Sequence, residues 1–186
     1  AHVQHTLSGH GDVRVMATLD TLPPRLQTLV DELGIVPEVL AHPPVHTVEE
    51  AAPFWKQLKG AHTKNLFLKD AKGVLFLVTL PMDRKVDLKK LPALISSKKL
   101  SFGSAERMKE ALHTAPGALG PLSLIMDETH RVHFAIDASL MAAEHITMHP
   151  LENDRTLCIK TDDLRKFLHA LGVEPVVVHF PQENTA

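Results

Sequence analysis

The chain has 186 residues, 44% of them hydrophobic and 23% charged, with a net charge of −2. That length suits one hydrophobic core rather than two, and the composition is that of an ordinary globular domain. The charge excludes a basic nucleic-acid binder of the wholesale kind but not local basic patches.

No apolar run approaches the ~20 residues that cross a bilayer, and no signal-peptide pattern opens the chain, so no membrane contact and a cytoplasmic location are expected. The single cysteine, Cys158 in "RTLCIK", excludes an internal disulfide framework and reads as a buried strand residue.

Residues 1–18 lack periodicity and are expected to be a flexible N-terminal segment, in part vector-encoded before Met16; residues 19–186 are expected to form one domain. Pro23 and Pro24 suit a first helical turn, Leu22, Leu26, Leu29, Val30 and Leu33 share one face, and Gly34 ends the helix. "PEVLAHPP" is a short strand closed by a rigid turn. Thr47-Val-Glu-Glu50 has capping-box spacing and opens a second helix towards Gly60, weakened by Pro53. "KNLFLKDAKGVLFLVTL" (64–80) reads as a β-hairpin turning at Asp70–Gly73.

"VDLKKLPALIS" is expected to be helical, "KLSFG" extended, and Ser104 to cap "AERMKEALH". Strands follow near 122–126 and 131–136, a short helix near 138–143, and strands near 145–149 and 156–160. Thr161 caps a last helix whose Leu164, Phe167, Leu168 and Leu171 face inward, and "PVVVHF" is the final strand. Strands outnumber helices and several are sequential hairpins. The expected class is α/β with a mixed, largely antiparallel sheet or partial barrel flanked by helices.

Three stretches carry possible chemistry. Lys64 stands at the entrance of a strand otherwise made for the core, where a lysine is ordinarily a solvated strand end. "TAPGALGPLSLIMD" (114–127) packs glycines and prolines into a stiff loop whose main-chain N–H groups can bind a carbonyl or an oxyanion, or which simply joins a helix to a strand. His149 ends a strand, where a lone histidine is more often structural than catalytic. Positive charge clusters at Lys56, Lys59, Lys64 and Lys69, at Arg84, Lys85, Lys89 and Lys90, and at Lys98 and Lys99. The 13 histidines show no H-E-x-x-H, and no metal or other cofactor is expected.

In order, "HPPVHTVEEA" (42–51), "GAHTKNLFLKD" (60–70), "GALGP" (117–121) and "HPLENDRT" (149–156) resemble the YbaK/ProX family of aminoacyl-tRNA deacylases, which is similar to the editing domain inserted in bacterial prolyl-tRNA synthetase. The resemblance spans about residues 20–180 and is nearest the free-standing enzymes that hydrolyse Ala-tRNA(Pro). It implies that Lys64 is the active-site lysine with Asn65 beside it. Gly117 and Pro121 frame the G-x-x-x-P loop with Ala118 at the substrate, and His149 is the pocket histidine. It implies a wall of Val48 and Ala51, and acceptor-end phosphates on Lys56, Lys59 and Lys69. The implied activity is metal-free hydrolysis of mischarged tRNA in trans, with aminoacyl-tRNA and prolyl-tRNA synthetase as partners. One departure is Gly120, where many relatives have Ser or Thr before the loop proline. A Cys-tRNA(Pro) deacylase and a non-catalytic tRNA- or synthetase-binding module are the competing readings.

Overall fold

The computed structural model describes residues 22–44, 49–50, 53 and 59–181, with the backbone of 6–7 and 13–14. Within the N-terminal segment, β1 (Thr6–Leu7) and β2 (Val13–Arg14) form an antiparallel pair. Helix α1 (Pro24–Glu32) starts with proline in its first turn and buries Leu26 and Val30. Strand β3 (Glu38–Ala41) follows. The expected capping box at Thr47 lies outside the described residues, although Glu49, Glu50 and Pro53 are helical.

The hairpin is the centre of the molecule. β4 (Thr63–Asp70) and β5 (Leu75–Pro81) pair antiparallel, with Asn65 opposite Thr79 and Phe67 opposite Leu77. Next come α2 (Leu91–Ile95), β6 (Leu100–Phe102) and α3 (Ala105–Leu112), the last capped by Ser104 Oγ accepting from Arg107 N–H at 3.1 Å. β7 (Val132–Asp137), α4 (Ala138–Met141), β8 (His145–Met148), β9 (Arg155–Lys160), α5 (Thr161–Leu171) and β10 (Val176–Val178) complete the chain.

One sheet has the order β10-β7-β5-β4-β6, parallel at β10-β7 and β7-β5 and antiparallel elsewhere; a second, antiparallel, has the order β3-β9-β8. This is the expected mixed α/β class, without a closed barrel. Strand alternation sorts the core into two. Phe67, Leu75, Leu77, Phe134 and Ile136 face the second sheet and helices α1, α3 and α5. Leu68, Phe76, Val78, Leu80 and Ala135 face α2 and the C-terminal strand. Among the described residues no helix is long and apolar enough to cross a membrane.

Three local expectations are corrected. Residues 122–126 are not a strand: Pro121–Met126 is a 3-10 helix, started by proline's fixed φ and by Ser123 Oγ accepting from Gly120 N–H at 3.3 Å. Leu122 to Ile125 are all buried, so no period was available to tell helix from strand. The helix expected from Val86 begins only at Leu91. Asp87 accepts from the backbone N–H of Lys89, Lys90 and Leu91 and holds the preceding residues in a turn. Thr161 does not cap α5; it is the first helical residue, and its hydroxyl donates to the Ala143 carbonyl.

Candidate functional site

The site lies where β4 passes from one sheet to the other. The main-chain groups of its odd-numbered residues point away from β5: Gly103 N–H donates to Phe67 O at 2.9 Å near the end of β6. At the other end Ala61 joins β8, donating to His145 O at 2.9 Å and accepting from Thr147 N–H at 3.0 Å. Thr63 and Asn65 fall in the notch between. Thr63 Oγ1 donates to Thr147 O at 2.7 Å, bracing the β8 side of the notch.

Asn65 is held from both ends of its amide. Thr79, fully buried on the neighbouring strand, donates its hydroxyl to Asn65 Oδ1 at 2.6 Å. Asn65 Nδ2 donates in turn to Leu119 O at 3.1 Å. The Leu119 carbonyl can only accept, so this second bond fixes which end of the amide is nitrogen, and with it the height of the 117–121 loop over the hairpin. The glycine-rich loop is therefore bolted to β4 through one side chain.

The loop itself is a turn. Ala118 N–H donates to Ala115 O at 3.0 Å, with Pro116 and then Gly117 at the corner, and Gly117 has φ of +93°. Proline followed by a residue at positive φ is the type II arrangement, which a side chain at Gly117 would strain. The turn engages the Ala118 N–H, and Ser123 engages that of Gly120. The donors left to the loop, among bonds between described residues, are Gly117 and Leu119. Ala118 is buried and helps line a groove of about 510 Å³ with Pro44, Thr114, Leu151 and Asp154. Pro121 is buried as the first residue of the 3-10 helix.

His149 follows β8 and lies against this loop: a Cβ placed on Gly120 would stand 3.6 Å from His149 O and 3.9 Å from Asn65 Nδ2. Those are ordinary contacts, and Gly120 has an extended φ of −175°, so a Cβ is tolerated there. His149 Nδ1 lies 2.9 Å from Arg155 O, which can only accept, so Nδ1 carries the proton and Nε2 keeps its lone pair. Burial is the main force that pushes the His149 pKa down, and His42 adds to it; the Arg155 carbonyl and Asp154 oppose them only in part. The His42 ring stands edge-on at 6.4 Å, itself fixed to Thr156 Oγ1 at 2.8 Å.

Lys64 is half-buried one residue before Asn65 and opposite Leu80. Alternation sends it to the face of Leu66 and Leu68, whereas Asn65 points to the face of Thr79. The two neighbours therefore bracket the edge of β4 from opposite sides. Lys59 is exposed beside the second sheet, where its carbonyl accepts from Cys158 Sγ at 3.0 Å. Burial, and then Glu38, push the Cys158 thiol up, which suits packing rather than nucleophilic attack. Lys69 is at the far end of β4, opposite Ser101. Val48, Ala51 and Lys56 lie outside the described residues.

Thr79 was not singled out from the sequence. Its signal was present: it is the one polar residue in "LFLVTLP", and a hairpin closing at Asp70–Gly73 puts it opposite Asn65. His42 and Thr156 left no comparable signal, because β3 and β9 are far apart in the chain.

Residues 42–167 match the profile of the aminoacyl-tRNA editing domain. The prolyl-tRNA editing protein ProX of Acetoanaerobium sticklandii is 38% identical over 144 residues, covering 77% of this chain and 88% of that protein. The prolyl-tRNA synthetase associated domain-containing protein 1 of Mus musculus is 36% identical over 160 residues, covering 83% and 94%. A solved structure described as a candidate trans-editing enzyme for prolyl tRNA synthetase has the same fold, with a TM-score of 0.63 at 19% identity, covering 87% of this chain and all of that one.

Proposed function

This chain belongs to the aminoacyl-tRNA editing domain family and is an aminoacyl-tRNA deacylase, and from that premise we propose that it hydrolyses mischarged Ala-tRNA(Pro) in trans. The observation that carries the reading is the Thr79–Asn65–Leu119 connection, which holds the loop with its main-chain donors at a fixed height beside His149. ProX of A. sticklandii is by its description a prolyl-tRNA editing protein, which supports tRNA(Pro) as the carrier.

An aminoacyl ester is already reactive, so positioning and charge stabilisation suffice. Lys64 holds the terminal adenosine and its ester by charge and hydrogen bonding. The N–H groups of Gly117 and Leu119 are the candidates to polarise the carbonyl as its oxygen gains negative charge. Water attacks the carbonyl carbon, positioned by the ribose hydroxyl beside the ester. The C–O bond to the ribose breaks, the ribose oxygen takes a proton, and alanine and free tRNA leave. His149, neutral at its Nε2, shapes the pocket rather than removing the proton.

The selection is a second sieve. A synthetase pocket built for proline discriminates poorly against alanine, because each missing methylene is worth only ~1–3 kcal/mol. A site that admits alanine and rejects proline supplies the rest, with Val48 and Ala51 as the side-chain wall. Acceptor-end phosphates fall to Lys56, Lys59 and Lys69, and prolyl-tRNA synthetase is the partner that supplies the mischarged product. Deacylation of Ala-, Cys-, Ser- and Pro-charged tRNA(Pro) tests the assignment. Preference for Ala supports it, preference for Cys moves the chain to the other branch, and no turnover on any of them overturns it.

A further inference from the structure

The far end of the hairpin carries cations that the site does not use. Asp70, buried at the end of β4, accepts from the backbone N–H groups of Lys72 at 2.9 Å and Val74 at 3.0 Å through Oδ1, and from that of Lys98 at 3.2 Å through Oδ2. This carboxylate clamps the hairpin turn to the loop before β6 and so places Lys72 beside Lys98 and Lys99, with Lys69 opposite Ser101. Burial opposes the charged form of Asp70, but the three N–H donors and the Lys72 charge outweigh it and hold its carboxyl below the usual range. Asp70 is therefore an anion turned inward, and Lys72, Lys98 and Lys99 are exposed. None of these lysines takes part in the ion pairs among the described residues.

Further along the same strand edge, β6 ends at Phe102, which is 64% exposed. It stands opposite Leu68 and so shares a face with Lys64. A phenylalanine this open on an edge contributes little to the core, and lysines beside an open ring form a stacking platform within a positive field. Lys64 and Leu68, the residue opposite Phe102, are four strand residues apart on one face, about 14 Å at the usual rise. At ~3.4 Å per stacked nucleotide this spans about four nucleotides.

We infer that Lys72, Lys98, Lys99 and Phe102 form a second binding surface for the acceptor arm of the tRNA, beyond the aminoacyl site, in which the lysines take phosphates and Phe102 stacks on an unpaired base. The inference rests on the deacylase reading of the Lys64–Asn65 site, which sets the direction in which the strand of RNA leaves the pocket.

Two variants test it: the triple Lys72→Gln, Lys98→Gln, Lys99→Gln, and Phe102→Ser. Each is assayed on Ala-tRNA(Pro) from about 50 to about 200 mM salt, the range over which phosphate binding weakens most visibly, and on alanyl-adenosine, which is too short to reach the surface. The triple variant is expected to flatten the logarithmic salt dependence of kcat/KM by about 0.7–0.9 for each phosphate that the lysines no longer neutralise. Phe102→Ser is expected to lose about tenfold on the tRNA at an unaltered slope. Both retain wild-type rates on alanyl-adenosine. Unchanged slope and rate on the tRNA, or equal losses on both substrates, overturn the inference. An unchanged slope with lost binding to prolyl-tRNA synthetase reassigns the surface to a protein and overturns it too. Salt titration of uncharged tRNA(Pro) binding gives the same reading with no turnover, so failure of the surface and failure of the deacylase assignment are distinguishable.

Discussion

Thr79→Val removes one hydroxyl and little volume from a fully buried position, and it isolates the part of the site that holds the loop. The hydroxyl donates to Asn65 Oδ1 at 2.6 Å, and Asn65 Nδ2 reaches Leu119 O at 3.1 Å. Losing the first bond costs about 1 kcal/mol, rising towards ~3 kcal/mol if Asn65 Oδ1 finds no water in its place. For a chain of this length each kcal/mol lowers Tm by roughly 2–4 °C, so a fall of a few degrees is expected. The functional effect should be larger. With its oxygen unanchored the Asn65 amide can tilt about its side-chain torsion, which weakens its bond to Leu119 O and loosens the loop. A shift of about 1 Å in a positioning element costs on the order of 10²-fold. The measurement is steady-state deacylation of Ala-tRNA(Pro) with thermal melts of the same preparations. The loss is expected mainly in kcat, and Thr79→Ser, which keeps the donor, should restore most of it. A Thr79→Val protein with the expected Tm and wild-type kcat would refute the positioning role and leave the bond merely structural.

Lys64→Ala should abolish deacylation while its melting temperature stays near that of wild type, since Lys64 is half-buried at the open end of a strand; near wild-type turnover would remove Lys64 from the mechanism. His149 has its pKa held below the ordinary 6.5, so it is neutral above that value in both folded and unfolded chains. Stability is therefore undiminished above pH ~6.5 and declines as the pH falls between the ordinary and the folded value, where the unfolded chain binds the extra proton. The enzyme-catalysed rate should stay level over the same upper range and fall only further into acid; a pH–rate profile with a His149-dependent inflection above 6.5 would contradict this. Gly103→Ala would drive a Cβ into Cδ2 of the buried Phe67 ring, where β6 closes on β4. Such overpacking costs ~1–3 kcal/mol, so melts should show a lower Tm, and an unchanged Tm would mean that the two strands separate freely.

Local chemistry was legible in the sequence because its causes are local. Pro24 and Gly34 bound α1, Ser104 caps α3, and Asp70–Gly73 turns the hairpin, each through groups within a few residues of one another. The hairpin register follows from that turn, and with it the pairing of Asn65 with Thr79. The family was legible too, through four short motifs spaced along the whole domain, and the profile match over residues 42–167 agrees with it. Tertiary structure decided the rest. Leu122–Ile125 are buried without alternation, so only the folded chain shows that this run is a 3-10 helix and not a strand. The depressed pKa of His149 and its approach to His42 depend on which strands the two sheets bring together. Bonds such as that of His42 to Thr156 join residues 114 positions apart, and only the closing of β3 onto β9 sets the distance between them.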